Sequence, residues 1–115
     1  MLSVPASLTI YLHTMPTDMR KGVDGLSGIV RGEFQGDPLD GSLYLFVNRR
    51  GNRLKILHWD GSGFWIYYRV LERGTFEVPR SDTKRVQIDA THLAMILGGV
   101  SLVGAKRRKR YARAS

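Results

Sequence analysis

The sequence predicts an α+β domain: an antiparallel β-meander sheet with a glycine-rich helix on one face and a short C-terminal helix. Three strand-like runs near residues 42–48, 53–60 and 63–72 are separated by two tight turns that carry glycine. Upstream of them, apolar residues recur at helical spacing, and a shorter helical pattern follows them. At 115 residues the chain fits one domain.

The N-terminal elements are a strand and then a helix. Residues 8–12 form a short β-branched and aromatic run, which ends before Pro16. Thr17 is a suitable N-cap for the helix, whose apolar stripe is Met19, Val23, Leu26, Val30 and Phe34. Glycines at 22, 25, 28 and 32 each cost about 1 kcal/mol relative to alanine. Packing must therefore hold the helix, and the glycine spacing favours close contact with the sheet or with a partner.

The turns at 49–52 and 60–63 fix which side chains of the meander share a face, if both close symmetrically. One face is mainly aliphatic, and we expect it to be the core under the glycine-rich helix: Leu43, Leu45, Val47, Leu54, Ile56, His58, Trp65, Tyr67 and Leu71. The other face mixes aromatic and basic side chains: Tyr44, Phe46, Arg53, Lys55, Leu57, Trp59, Phe64, Ile66 and Tyr68. Residues 86–88 predict a further strand, and Asp89 can cap a helix that ends at Gly98 and Gly99.

Positive charge is concentrated in two segments. Of the net charge of +8, residues 106–115 contribute six cations and no acid, so residues 1–105 carry only +2. Within that body, residues 49–85 sum to +5. The dense like charge favours a disordered tail over 106–115 after a domain over 1–105. This balance favours a polyanionic partner, chiefly nucleic acid, although solubility alone is another interpretation.

Composition excludes several classes of protein. The chain has no cysteine, which excludes a disulfide framework and thiolate metal sites and suits a reducing cytoplasm. Residues 1–7 lack the basic start and long apolar core of a secretory signal. No apolar run approaches the roughly 20 residues needed to span a bilayer. We expect a cytoplasmic protein with no membrane partner.

Groups that could perform catalysis show no recognisable pattern. His13, His58 and His92 lie far apart without metal-ligand spacing, and the ten acids are scattered over caps, turns and exposed positions. Gly61 and Gly63 lack the lysine and the strand-to-helix context of a phosphate-binding loop. The sequence therefore predicts no catalytic residue, metal or cofactor, and ranks a nuclease or strand-transfer enzyme last among the functions considered.

Basic residues of the first hairpin, the third meander strand and the tail are the candidates for nucleic-acid contact. Arginine and lysine neutralise phosphates without reading base sequence. The candidates are Arg49, Arg50, Arg53, Lys55, Arg69, Lys106, Arg107, Arg108, Lys109 and Arg110. For the tail, a solvated run of charge is the other interpretation.

The aromatic residues of the mixed face have two interpretations. If exposed, they could bind a protein partner or another copy of the chain, or stack on bases. The partner-binding candidates are Tyr44, Phe46, Trp59, Phe64 and Tyr68. If covered by the C-terminal helix or by a dimer partner, they form a second hydrophobic layer with cations at its edge. We favour the covered layer for the aromatic side chains.

Three blocks of sequence resemble a known family. They are TDMRKGVDGL at 17–26, LFVNRRGNRLK at 45–55 and WDGSGFWIYYR at 59–69. They resemble the TnpB, or Orf2-like, accessory proteins of the IS66 family of bacterial insertion sequences, over about residues 8 to 100. The resemblance implies a protein that is encoded beside a larger transposase and needed for efficient transposition, with no established catalytic residues. It does not extend to the much larger RNA-guided nuclease that shares the TnpB name.

The tail departs from this resemblance. After Gly99 family members often continue with a segment that contains tryptophan and arginine, whereas this chain leads into a basic run at 106–110. A role for the tail therefore rests on charge alone. Our first hypothesis is an accessory protein of DNA transposition that binds element ends or target DNA through the hairpin and tail. The alternative is an adaptor that docks on the element's transposase, or self-associates, through the aromatic face.

Overall fold

The computed structural model describes residues 8–98, which form a five-stranded mixed sheet with a helix on each face. The strands lie in the order β4-β3-β2-β1-β5. Their bounds and those of the helices are β1 (Ile10–His13), α1 (Val23–Gly32), β2 (Leu43–Val47), β3 (Arg53–Trp59), β4 (Phe64–Val70), β5 (Arg85–Ile88) and α2 (Ala90–Gly98). The α+β class is confirmed.

The sheet is not antiparallel throughout. Strands β2, β3 and β4 form the antiparallel meander, in which Ile56 pairs with Leu45 on one side and Tyr67 on the other. The first strand departs from the prediction, because β1 pairs parallel to β2 and antiparallel to β5. A parallel pair needs a crossover connection, which the segment containing α1 supplies. The pattern of a four-residue strand does not specify its direction.

Helix α1 begins later than its apolar stripe suggested. Gly22 occupies the N-cap position, whereas Thr17, the expected cap, is buried. The Thr17 N–H donates to the Val47 carbonyl at 2.9 Å, because the chain leaving β1 first passes beside the end of β2. The stripe still forms one face, and all its members pack in one cluster: Met19, Val23, Leu26, Val30 and Phe34.

The meander faces divide as the alternation predicted, but α1 covers the other one. It packs on the aromatic face, where Tyr44 and Phe46 are 1% and 0% exposed. Our expectation that this helix covers the aliphatic face is therefore wrong. The hand of the β1–α1–β2 crossover, and not side-chain character, decides which face the helix covers. The aliphatic face packs against Leu93 and Ile96 of α2 and against Phe76.

The glycines of α1 do not bring it unusually close to the sheet. A Cβ built at Gly25 would lie 2.9 Å from the Cβ of Lys21, within the same segment. At Gly28 and Gly32 it would meet no other atom of the described residues within 4 Å. Close packing of α1 on the sheet through these glycines is therefore wrong.

The C-terminal helix begins as predicted. The carboxylate of Asp89 accepts the His92 N–H at 2.7 Å, which confirms Asp89 as the cap. Gly99 and the basic residues Lys106, Arg107, Arg108, Lys109 and Arg110 lie outside the described residues. The division into a domain over 1–105 and a tail over 106–115 stays a prediction.

Candidate nucleic-acid interface

Among the described residues, strand directions concentrate cations at one end of the sheet, where Glu33, Glu72 and Asp82 also lie. Where β1, β2 and β4 end and β3 and β5 begin, the chain carries the group that we call the basic end: Arg49, Arg50, Arg53, Arg69, Lys84 and Arg85. At the opposite end, the 35–42 and 60–63 loops and the residue after β5 contain no cation. The carboxylates there, Asp37, Asp40, Asp60 and Asp89, form what we call the acidic end.

A hydrogen-bonded turn holds Arg49 and Arg50 at the tip of the β2–β3 hairpin. Gly51 adopts a φ of 75°, a left-handed conformation that glycine allows at little cost, and its N–H donates to the Asn48 carbonyl. The Asn48 side chain accepts the Arg53 N–H at 3.0 Å. Both tip arginines are exposed, and within residues 8–98 neither guanidinium has a hydrogen-bond or ion-pair partner. Two uncompensated charges are therefore presented together.

Arg53 extends this positive surface onto the α1 face. Its Nη1 donates to the Tyr68 hydroxyl at 2.7 Å, and both side chains are exposed. A guanidinium has five N–H donors, so this contact orients Arg53 and leaves donors for another ligand. Tyr68 therefore positions a cation of the basic end.

Lys55 is held by the protein itself. Its Nζ donates to the Met19 carbonyl at 2.7 Å and to the Lys21 carbonyl at 2.9 Å. It also lies 5.2 Å from the centroid of the Tyr68 ring. The ammonium fastens the segment before α1 to β3. Two carbonyl partners already engage it, in contrast to the tip arginines, and a contact of Lys55 with nucleic acid stays a prediction.

Arg69 lies on the opposite face from Arg53. It pairs with Leu54 across β3, so its side chain belongs to the α2 face and is exposed there. The structure therefore brings together Arg49, Arg50 and Arg53 and leaves Arg69 apart from them.

Sequence reasoning missed two cations of the basic end. Pairing of β5 with β1 brings Lys84 and Arg85 there, and only this long-range pairing could have revealed them. Lys84 Nζ lies 3.4 Å from Glu33 Oε1. Arg85 donates to the Phe34 carbonyl at 3.0 Å and lies 4.8 Å from the centroid of the Tyr11 ring. Both are held by protein groups, in contrast to the hairpin tip.

Glu33 also contacts His13, which is 2% exposed, with 2.7 Å between Glu33 Oε2 and His13 Nε2. Partial burial raises the pKa of Glu33, but the neighbouring His13 and Lys84 outweigh it, so that the pKa is lowered. This contact joins the end of α1 to the end of β1.

Comparison with models of known families assigns the chain to one of them. A family model described as IS66 Orf2-like protein matches residues 8–107. The chain belongs to the IS66 Orf2-like family. Membership associates it with an insertion sequence and with the transposase that the element encodes. The resemblance noted in the sequence is confirmed.

Two relatives of this IS66 Orf2-like chain come from Sinorhizobium fredii (strain NBRC 101917 / NGR234). Uncharacterized protein y4jC is 29% identical over 108 residues, covering 94% of this chain and 92% of the relative. Uncharacterized protein y4hO is 32% identical over 100 residues, covering 87% of each chain. No solved structure matches.

At the acidic end of this IS66 Orf2-like protein, the carboxylates accept hydrogen bonds. Asp40 accepts the Ser42 N–H at 2.8 Å and the Tyr44 hydroxyl at 2.8 Å. Burial, reinforced by Asp40, raises the pKa of that hydroxyl. Asp60 accepts the Ser62 and Gly63 N–H groups, both at 2.9 Å, and the indole N–H of Trp65 at 2.7 Å. These contacts, that of the Ser62 N–H first, lower the pKa of Asp60 to about 2.

The aromatic face is a covered layer, and α1 rather than the C-terminal helix lies on it. Tyr44 and Phe46 are buried beneath α1, so our assignment of these two residues to a docking surface is wrong. Trp59 and Phe64 are partly buried and form an edge-to-face pair with centroids 5.0 Å apart. Tyr68 is 48% exposed. Among the described residues, the accessible part of this face lies on β4 and at the two ends of β3.

Among residues 8–98, no three His, Asp or Glu side chains converge as a metal-binding group. In the same region, neither helix has the length and apolar character required to cross a bilayer.

Proposed function

We propose that this IS66 Orf2-like protein is a non-catalytic accessory protein of transposition that binds nucleic acid through its basic end. The observation that carries the proposal is the hairpin tip, where Arg49 and Arg50 are exposed and have no partner within residues 8–98. Family membership supplies the setting of an insertion sequence.

The proposed interaction is with phosphates and not with base edges. Arg49, Arg50 and Arg53 neutralise neighbouring phosphates of element ends or target DNA and release the counterions bound there. The acidic end repels the same backbone, so the separation of charge orients the protein on DNA. The run from Lys106 to Arg110 adds a second, sequence-independent contact.

The experiment compares two double charge reversals that change net charge equally. Arg49→Glu with Arg50→Glu alters the hairpin tip, whereas Lys21→Glu with Arg31→Glu alters exposed cations on α1 or just before it. Affinity for a duplex from an element end and for an unrelated duplex is measured at several salt concentrations. Loss of two phosphate contacts lowers the slope of log affinity against log salt by about 2.

The tip variant should show this loss on both duplexes, and the α1 variant should retain most of the slope. Deletion of residues 106–115 should lower the slope by several units. Equal effects of the two reversals would assign binding to net charge and contradict an interface at the basic end. If the slope were unchanged after both tail deletion and tip reversal, the proposal that the protein binds nucleic acid through these segments would be wrong.

A second candidate function is docking on the element's transposase. The partly buried Trp59 and Phe64 lie toward the acidic end, away from the arginine tip. Aromatic side chains of this kind anchor protein interfaces. Trp59→Ala should then abolish co-purification with the transposase and leave the DNA salt slope intact. Retention of the complex by a folded Trp59→Ala protein would eliminate this candidate.

A further inference from the structure

Among residues 8–98, strand β4 forms an edge of the sheet, and half of its backbone groups have no hydrogen-bond partner. The Leu71 N–H donates to the Asn52 carbonyl, and the Asp60 N–H donates to the Gly63 carbonyl, in the same register that pairs β3 with β4. Antiparallel partners alternate between hydrogen-bonded and non-hydrogen-bonded positions. The odd-numbered residues of β4 therefore bond to β3. The N–H and C=O groups of Phe64, Ile66, Tyr68 and Val70 point away from it.

The two edges of the sheet differ in length and in side chains. β5 has four residues, and its outward positions are Arg85 and Gln87. In addition, the Thr83 hydroxyl donates to the Arg85 carbonyl there. β4 has seven residues, FWIYYRV, with no proline or lysine, and Arg69 is its one charged side chain. Long, apolar and unprotected edges are templates for pairing with another strand.

Exposed apolar area is concentrated on this edge and lies on both of its faces. Trp65 is 54% exposed on the α2 face, and Tyr68 and Val70 are each 48% exposed on the α1 face. A ligand that stacked on Trp65 alone would leave the other two uncovered. A strand added beside β4 would cover both faces and satisfy the outward backbone groups.

We propose that the occupant is β4 of a second copy of this chain, paired antiparallel about a two-fold axis at Tyr67. This is the register in which all four outward residues form hydrogen-bonded pairs. Phe64 then pairs with Val70 of the second copy, and Ile66 with Tyr68. On the other face Trp65 lies opposite Arg69, and Tyr67 lies opposite itself. Aromatic, aliphatic and cation–π contacts result, and no like charges are directly opposed.

Charge complementarity supports a second copy as the occupant. Antiparallel pairing of two identical sheets places the acidic end of one copy beside the basic end of the other. Asp60 precedes β4 at the acidic end, whereas Arg69 in the last part of β4 and Arg73 after it lie at the basic end, together with Glu72. The paired sheets have ten strands, and the two arginine tips lie at opposite ends of them.

A pair of substitutions at Trp65 tests the register. Trp65→Lys places a cation opposite Arg69 of the second copy, whereas Trp65→Glu places a carboxylate there. The dissociation constant of the dimer should be at least about tenfold higher for the lysine variant than for the glutamate variant. It is measured by sedimentation equilibrium on the full chain of 13.0 kDa, after nuclease treatment and at high salt. Circular dichroism verifies that both variants fold.

Cysteine cross-linking tests the same register independently, because the chain has no native cysteine. Tyr67→Cys places two thiols across a non-hydrogen-bonded pair, the type of antiparallel pair whose Cβ atoms lie closest together and approach the separation that a disulfide requires. It should form a disulfide dimer under mild oxidation. Arg69→Cys alone should not, but mixed with Trp65→Cys protein it should form a heterodimer.

Three results would overturn the proposal. A monomeric mass at all concentrations, with no Tyr67→Cys dimer, would exclude self-pairing. Protection of the outward β4 amides from hydrogen exchange in that monomer would assign the edge to another segment of the same chain. Association that disappears on nuclease treatment would assign it to nucleic acid, with Trp65 acting as a stacking residue.

Discussion

The hairpin tip and the acidic end of the sheet hold charged groups in opposite states. At the acidic end, Asp40 and Asp60 each accept several hydrogen bonds within their own turns. At the basic end, Arg49 and Arg50 extend from a turn that is held by other residues, and they have no partner within residues 8–98. The acidic end therefore uses charge to stabilise the fold. At the basic end protein groups hold Lys84 and Arg85, whereas the hairpin tip leaves charge available for a ligand.

Lys55 shows that the position of a cation, and not its charge alone, decides whether protein groups hold it. It is two residues from Arg53 and on the same face, but it lies within β3 under the segment that leads into α1. A cation inside the sheet finds carbonyl partners, whereas a cation at the tip does not. The comparison of the two ends thus predicts which substitutions change stability and which change binding.

The largest effect on stability is expected from Lys55→Met. It removes two charge-assisted hydrogen bonds to the Met19 and Lys21 carbonyls, and we expect a loss of about 2–3 kcal/mol in the free energy of unfolding. Urea denaturation measures it. The matched control is Arg53→Met, on the same face but exposed, with a change within about 0.5 kcal/mol. Equal costs for the two variants would show that Lys55 has no special structural role.

The next largest effect is expected at the acidic end from Asp40→Ala. It removes the acceptor of the Ser42 N–H and of the hydroxyl of Tyr44, and should cost about 1–2 kcal/mol in unfolding free energy. The salt slope of DNA binding should not change. In a Tyr44→Phe background the cost should shrink, because the hydroxyl contact is already absent. Additive costs would show that Asp40 does not act through Tyr44.

Local patterns predicted more of this fold than of its interface. The alternation of side chains identified the meander register, and Asp89 identified the start of α2, because both signals depend on residues close in sequence. The direction of β1 and the face covered by α1 depend on contacts between distant segments. The sequence contains no local signal for either.

The distinction between local signals and long-range contacts also explains which residues of the candidate site could be predicted. The tip arginines were identifiable because a glycine-bearing hairpin turn exposes its own side chains. The protein partners of Lys55 and Lys84, at 19, 21 and 33, could not be identified because they lie far away in sequence. Charge can be read from composition, but whether a charge is free depends on tertiary contacts.

A smaller and pH-dependent effect is expected from Asp60→Asn. The pKa of Asp60 is lowered from 3.8 to about 2, so the charged form stabilises the folded state. That contribution is fully present above pH 3.8 and is lost as the pH falls toward about 2. Urea denaturation at pH 7 and at pH 3 should therefore show wild type losing more stability than the variant. Parallel losses would mean that the Asp60 carboxylate contributes nothing as an anion.

The smallest effect is expected from adding one cation at each end in turn. Met15 and Leu39 are both 50% exposed, and they lie in loops at the basic and the acidic end, respectively. Met15→Arg should tighten DNA binding about twofold to fivefold at low salt, since the new charge lies near the phosphates. Leu39→Arg should change it less than about 1.5-fold, because an exposed charge farther away than about 10 Å is screened. The two variants have equal net charge. Their affinities for one labelled duplex, measured by fluorescence anisotropy, therefore differ only through the position of the added charge. Equal tightening would show that DNA responds only to total charge, and the two ends would then be equivalent in binding.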